Sequence, residues 1–241
     1  MSRYVLITRH PTDCVELQGL LSACGLTVRP YPVLRLEDID DDTGWDAVSR
    51  SQAAVEAPAW LVLASPRAPE RFVRGCRERG LENLLDLPAA AVGPSTARAA
   101  EKAGLNIDLV GPGNGAGLAE QLTETLNPEA PVIFACGKER RQELPLALEE
   151  AGHAVLPLVV YRMVPTPPRE LPPLGPSLEA VVLTSPRAAT LYLEGVGGKP
   201  LPCPHLALGT TTQQAAAGLG IECRIPKEPT MESLAEELCT I

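Results

Sequence analysis

Positive charge is in short supply: 21 Lys and Arg against 30 Asp and Glu leave a net charge of −9. That argues against a nucleic-acid platform, which needs a basic surface to neutralise phosphates, and against a membrane-surface role. An anionic small molecule stays admissible, because the summed field is screened beyond about 8 to 10 Å and local donors dominate inside a cleft. No apolar run approaches the roughly 18 residues of a membrane span. Met1-Ser2-Arg3 runs straight into the apolar Tyr4-Val5-Leu6-Ile7 with no signal region, so the expected location is the cytoplasm. The seven cysteines form no CxxC pair and are odd in number, so most are expected to be buried thiols. Three histidines, none at ligand spacing to another His or Cys, give no expected metal site. No GKS or GKT follows a glycine loop, and GPGNGAG (111–117) lacks the strand–GxGxxG–helix order and the later acidic residue. Ser65 and Ser185 stand outside any GxSxG elbow, which counts against a Ser-His-Asp hydrolase.

What the chain does contain is itself, twice. LVLASPRA at Leu61 to Ala68 returns as VVLTSPRA at Val181 to Ala188, 120 positions on. AAVGPSTARAAEKAGLNIDLVG is echoed by LALGTTTQQAAAGLGIECRIP, with Gly93 and Gly209, then Gly104 and Gly220, each 116 apart. The opening YVLITRH…VLR aligns without gaps on PVIFACG…VYR, pairing Gly25 with Gly152, Pro30 with Pro157 and Arg35 with Arg162 at an offset of 127. Two long copies are not a solenoid; they read as two similar α/β lobes.

Short apolar strands alternate with helices throughout, which predicts parallel sheets flanked by helices through right-handed crossovers. Tyr4 to Thr8 reads as a strand, followed by a helix capped by Thr12 or Asp13 and stopped by Gly25. Leu26 to Leu36 reads as one strand. A crossing segment, 37–46, and a helical region ending near Pro58 come next; its Asp40-Asp41-Asp42 run reads as solvated. Strands at 59–64, 89–92 and 107–110 follow, with helices from Ser65-Pro66, from Gly93-Pro94 and from about Leu118. Val132 to Ala135 opens the second copy, with Cys136-Gly137-Lys138 as its turn and a strand through Val160. Six prolines in 165–176 make that stretch a stiff crossover. Strands at 180–183, 205–208 and 221–225 repeat the earlier plan, and a last helix follows Thr230.

Each part between crossovers holds too few strands for a sheet of its own. The crossings near 35–46 and 164–176 favour one discontinuous lobe, 1–35 plus 172–241, and a second, 38–164. Two passages of chain between the lobes would act as a hinge.

Open α/β sheets bind ligands past the carboxyl ends of their strands. Six turns there carry small, hydroxylated or cationic residues: Thr8-Arg9, Ser65-Pro66-Arg67, Gly93-Pro94-Ser95-Thr96, Cys136-Gly137-Lys138, Ser185-Pro186-Arg187 and Gly209-Thr210-Thr211-Thr212. Helix-start N–H groups favour carboxylates or phosphates. Ser and Thr in such turns are also ordinary caps, and that alternative stays open for each turn. Tyr161 stands apart: it closes a strand before the Pro-rich stretch, and Leu34 fills the matching place in the other copy. Its phenol is expected at the cleft between the lobes, with a satisfied buried hydroxyl as the plainer alternative.

The ordered set VLITR, SPRA, AVGPSTARAAEKAG, FACGKERRQELPLALEEAG, VVYR, TSPRA, LGTTTQQAAAGLG and PTMESLAEEL resembles the uroporphyrinogen-III synthase family over nearly the whole chain. One departure is His10, which stands between Arg9 and Pro11 where the family usually has Arg directly before Pro. The resemblance implies two flavodoxin-like lobes joined by a two-stranded connector. It also implies closure of hydroxymethylbilane, a linear tetrapyrrole with eight carboxylates, to uroporphyrinogen III with loss of water and inversion of ring D. No metal or cofactor is implied, and the partner is the small polycarboxylate alone, bound by a monomer. On that resemblance Tyr161 is the catalytic residue, a proton donor to the leaving hydroxyl. Thr8, Arg9, Ser65, Ser95, Thr96, Gly137, Lys138, Ser185, Thr211 and Thr212 are the substrate-binding residues. A non-catalytic two-lobed sensor of tetrapyrroles or other anions is the alternative from another class.

Overall fold

The computed structural model describes residues 3–54, 59–127 and 130–241, without the side chains of 52–54. The chain opens with β1 (Arg3–Ile7), α1 (Val15–Leu21), β2 (Leu26–Pro30), β3 (Leu34–Asp38) and α2 (Asp42–Ala54). It continues through β4 (Trp60–Leu63), α3 (Pro69–Arg79), β5 (Ala89–Ala91), α4 (Pro94–Ala103), β6 (Leu109–Val110) and α5 (Gly115–Thr125). Next come β7 (Val132–Gly137), α6 (Glu143–Glu150) and β8 (Val155–Pro165). The last elements are β9 (Leu178–Leu183), α7 (Pro186–Gly195), β10 (His205–Ala207), α8 (Thr210–Gly218), β11 (Cys223–Arg224) and α9 (Met231–Leu238).

Two compact units result, Met1–Arg35 with Val164–Ile241, and Leu36–Met163. The first holds a five-stranded parallel sheet in the order β11-β10-β9-β1-β2. The second holds six strands, β3-β8-β7-β4-β5-β6, parallel from β8 to β6. Numbered in chain order, the first sheet reads 2-1-3-4-5, a doubly wound, flavodoxin-like order. The second reads the same when β7 and β8 are counted first and β4, β5 and β6 after them. Strand order therefore reverses between β1 and β9 in one sheet and between β7 and β4 in the other. Those are the positions where such sheets open a crevice past their carboxyl ends.

Strands buried on both faces explain the near-continuous apolar runs. In β1, Tyr4 and Leu6 pack with Leu183 and Tyr192, whereas Val5 and Ile7 pack with Leu17, Leu21 and Leu234 on the opposite face. In the second unit Leu61 and Leu63 meet Phe72 and Ile133, and Val62 meets Leu118, Phe134 and Leu148. Each of these side chains contributes roughly 1.5 to 3 kcal/mol by leaving water.

Several boundaries differ from expectation, each for a local reason. The strand expected over Leu26 to Leu36 is two: the Tyr31 N–H makes the last ladder bond, to Ile7 O at 2.7 Å, and past Pro32 the Val33 N–H turns back to Tyr31 O at 2.8 Å. Neither Thr12 nor Asp13 caps α1; a 3₁₀ turn over Pro11–Asp13 intervenes, and the His10 ring nitrogen accepts the Thr12 N–H at 3.4 Å. Ser185 does cap α7, accepting the Ala188 N–H at 3.1 Å, but its counterpart Ser65 does not start a helix. The Ala189 N–H closes the first turn of α7 on Ser185 O at 3.0 Å, and the equivalent residue, Pro69, has no N–H to give. Helix α3 starts at Pro69 instead. Helix α5 starts at Gly115, three residues early, because Asn114 Oδ1 accepts the Gly117 N–H at 2.8 Å. Strands β7 and β8 run past their expected ends, through Gly137 and Pro165. The Asp40–Asp42 run is not merely solvated: Asp41 accepts the N–H groups of Gly44 at 3.1 Å and Val159 at 3.2 Å, and Asp40 pairs with Arg79. Past the end of β8 at Pro165, the regular element before β9 is a 3₁₀ turn at Pro168–Glu170. The expected helix end near Pro58 lies outside the described residues. Two cysteines are not thiols: Cys24 and Cys239 are joined as a disulfide, while Cys14, Cys76, Cys136 and Cys223 are buried thiols and Cys203 is half-buried. No helix among the described residues is long and apolar enough to cross a membrane.

His205, at the head of β10, is buried and its Nε2 lies 2.8 Å from the Tyr192 hydroxyl, which also accepts the Leu201 N–H at 3.1 Å. Burial lowers its pKa from an ordinary 6.5, and a hydrogen bond to the Cys203 backbone only partly opposes that. The unfolded chain therefore binds this proton more readily than the folded one. The neutral ring's stabilisation is complete above about pH 6.5 and is lost as pH falls toward the folded value. Urea unfolding between pH 7 and 5 should show stability falling with pH, and His205→Gln should flatten that slope.

Candidate active site

At the reversal point of the second sheet, past the carboxyl ends of β4 and β7, lies a cavity of about 390 Å³. Ser65 enters it from the turn after β4, Gly137 from the end of β7, Tyr161 from β8 and Asn114 from the start of α5. Tyr161 is not at a strand end, since it is the seventh of eleven residues in β8. Its aim is set by a bulge. Cys136 pairs with Val159 and Gly137 with Tyr161, so Val160 is an extra residue on β8. A bulge of this kind redirects the side chain that follows it.

Tyr161 is 7% exposed, and its phenol donates to Ser65 Oγ at 3.0 Å. The same oxygen accepts the Arg67 N–H at 3.2 Å. With both bonds received, the serine's own proton remains to be donated. The ring lies flat over position 137: a β-carbon there would stand 2.7 Å from Tyr161 Cζ and 3.0 Å from its Oη. Only glycine leaves room. Lys138 follows, exposed, with its N–H on Tyr161 O at 2.8 Å. A second close approach builds the neighbouring wall, where a β-carbon on Gly93 would meet Gly113 Cα at 2.9 Å.

The other expected residues stand at the carboxyl edges of their own sheets. Ser95 is exposed in the first turn of α4, but the Thr96 hydroxyl is buried without a hydrogen-bond partner among the described residues. In the first unit Thr8 is buried; its hydroxyl donates to Val182 O at 3.2 Å and accepts the Thr184 N–H at 3.1 Å. Arg9, half-buried, follows it and lowers the affinity of the nearby Cys14 thiol for its proton, against a larger upward push from burial. Ser185 spends its oxygen on the α7 cap, Thr211 is exposed in the first turn of α8, and Thr212 is buried. Backbone N–H groups, rather than these buried hydroxyls, are what the edges offer a ligand.

Residues 15–236 match the family described as Uroporphyrinogen-III synthase HemD. The chain belongs to the uroporphyrinogen-III synthase family. The uroporphyrinogen-III synthase of Chlorobaculum parvum is 23% identical over 235 residues, covering 93% of this chain and 92% of that one. The fold is shared with uroporphyrinogen-III synthetase from Helicobacter pylori, at a TM-score of 0.62 and 18% identity over 99% of this chain and 98% of that one. A mutant uroporphyrinogen III synthase from Thermus thermophilus gives a TM-score of 0.54 at 19% identity, covering 98% and 96%. Uroporphyrinogen-III synthases are enzymes of tetrapyrrole biosynthesis.

Two residues of this cavity escape a reading of the sequence. Asn114 looks like one polar residue in a glycine loop, and only its position before an apolar run hints at a cap. Arg140 is one of four charged residues in the run Lys138-Glu139-Arg140-Arg141, and nothing in that run singles it out. Among the described residues no three His, Cys, Asp or Glu side chains gather as metal ligands.

If the ring of Tyr161 is what forbids a side chain at 137, Gly137→Ala should cost about 1 to 3 kcal/mol in urea unfolding. That cost should largely vanish in a Tyr161→Ala background. An equal loss in both backgrounds would mean that something other than the ring is being displaced.

Proposed function

We propose that the chain closes hydroxymethylbilane to uroporphyrinogen III with loss of water and inversion of ring D, with Tyr161 as proton donor. The observation that carries the residue assignment is the phenol's place at the reversal point, hydrogen-bonded to Ser65 inside the cavity. Family membership supplies the reaction.

The chemistry asks for control of geometry more than for a powerful catalyst. Electron push from the pyrrole nitrogen of ring A expels the hydroxyl of the hydroxymethyl group, which leaves as water with a proton from the Tyr161 phenol. The resulting azafulvene can be attacked by the free end of ring D, giving the type I isomer without help. Attack by the substituted carbon of ring D instead gives a spiro intermediate. That intermediate breaks its bond to ring C and recloses with ring D inverted, and the last ring proton returns to the phenolate. The substrate's own nitrogens supply the push, so the reading calls for no metal or cofactor. Ser65 holds the phenol in place and, with its own proton outstanding, can pass a hydrogen bond on to the leaving oxygen.

Holding the bilane in the productive fold is the task of the strand edges. The first-turn N–H groups at Ser95, Thr211 and Thr212 and the cations Arg9 and Lys138 share its eight carboxylates. Thr8, Thr96 and Ser185 shape the turns that present those groups, and Gly137 makes room for the phenol. On this reading the protein works as a monomer in the cytoplasm.

Purified protein supplied with hydroxymethylbilane should give predominantly the type III isomer on chromatographic separation. Tyr161→Phe should lower its rate by roughly 10²-fold, the low end for loss of a general acid, with type I from spontaneous closure taking its place. Type I alone from the unmodified protein would overturn the reading; undiminished type III from Tyr161→Phe would remove the tyrosine from catalysis.

A further inference from the structure

The cavity beside Tyr161 is lined by a cation that forms no ion pair with a carboxylate among the described residues. Arg140 lies in the turn between β7 and α6 and lines the cavity. Its Nε is buried and has no hydrogen-bond partner among the described residues. Buried guanidinium N–H groups are nearly always bonded, and an unpaired one is costly. Other charged groups are close by. Glu139 and Glu143 also line the cavity, but Glu139 accepts the Met163 N–H at 3.2 Å, Glu143 opens α6, and neither forms an ion pair with Arg140 among the described residues. Cys136, which feels the Arg140 charge, is held neutral: burial pushes its thiol up to about 11, and the nearby arginine only partly offsets that. Arg141, exposed on the same wall, adds a second positive charge.

A guanidinium with Nε–H and Nη–H directed to one side is shaped for a planar, two-oxygen acceptor. We infer that Arg140 is a specificity-determining residue, gripping one acidic side chain of the substrate side-on through two hydrogen bonds at the end of β7. This rests on the reading that the ligand is a polycarboxylate bilane. The grip fixes one substituted ring relative to the Tyr161 phenol, which is what choosing between attack at the two carbons of ring D requires. An arginine serves here where a lysine would not, because a point charge holds a carboxylate without fixing its plane.

The test has two parts. In the first, the Arg140 Nε–H resonance of the unmodified protein, identified by its absence in Arg140→Lys, is followed at constant ionic strength while propane-1,2,3-tricarboxylate is added. A saturable shift is expected; a resonance that does not move, or that moves only with inorganic phosphate, overturns the inference. In the second, Arg140→Gln is expected to raise KM for hydroxymethylbilane by about 10-fold or more, beyond any fall in kcat, and to lower the ratio of type III to type I product. Arg140→Lys should recover only part of either change. An unchanged KM and isomer ratio in Arg140→Gln would contradict the proposal. Failure of the functional reading looks different: the unmodified protein would give type I only, whatever the Nε–H signal does with tricarboxylate.

Discussion

The contact of Tyr161 with Ser65 across a bare Gly137 is the constraint on which the site depends. Three features must coincide for it to exist. An extra residue on β8 turns the phenol toward β7, the absence of a β-carbon at 137 lets the ring lie down, and Ser65 waits at the end of the neighbouring strand. A change at any one displaces the hydroxyl, and the proton transfer proposed for it tolerates little displacement. The same contact bears on local structure. Ser65 oxygen is occupied by the phenol and by Arg67 N–H, whereas Ser185, whose copy carries Leu34 in place of the tyrosine, is left to cap its helix.

A chain with net charge −9 can still serve a polyanion because recognition is short-ranged. Both sheets end their parallel strands in helix starts, so N–H dipoles line each carboxyl edge without adding formal charge. Formal charge in the cavity is mixed: Arg140 and Arg141 line it beside Glu139 and Glu143, and Glu139 accepts the Met163 N–H. Net charge sets the long-range field; the short-range donors are what a bound ligand meets.

Much of the architecture was legible because parallel strands buried on both faces leave apolar runs bounded by glycine and proline. Gly25, Gly80 and Gly104 each follow a helical stretch at positive φ, and the sequence marks all three. The corrections cluster where a distant residue takes over a local one. Ser65-Pro66 has the composition of a helix start, yet Pro69 cannot supply the N–H that would close the turn. Tyr161 breaks the repeat, which marks it in the sequence, but its orientation depends on a bulge, which one strand's sequence does not encode. Arg140 was hidden for another reason: in a run of four charged residues, only the folded turn decides which is buried. The Cys24–Cys239 bond was likewise out of reach, because 215 residues separate the two and no spacing rule connects them.

The central claim, that Tyr161 and Ser65 act as one hydrogen-bonded unit, is tested most directly by a double-mutant cycle on the rate of type III formation using Tyr161→Phe, Ser65→Ala and the pair. The account predicts strong non-additivity, with the double variant little slower than the slower single one. Losses that simply multiply, or a Ser65→Ala protein as fast as the unmodified one, would contradict it.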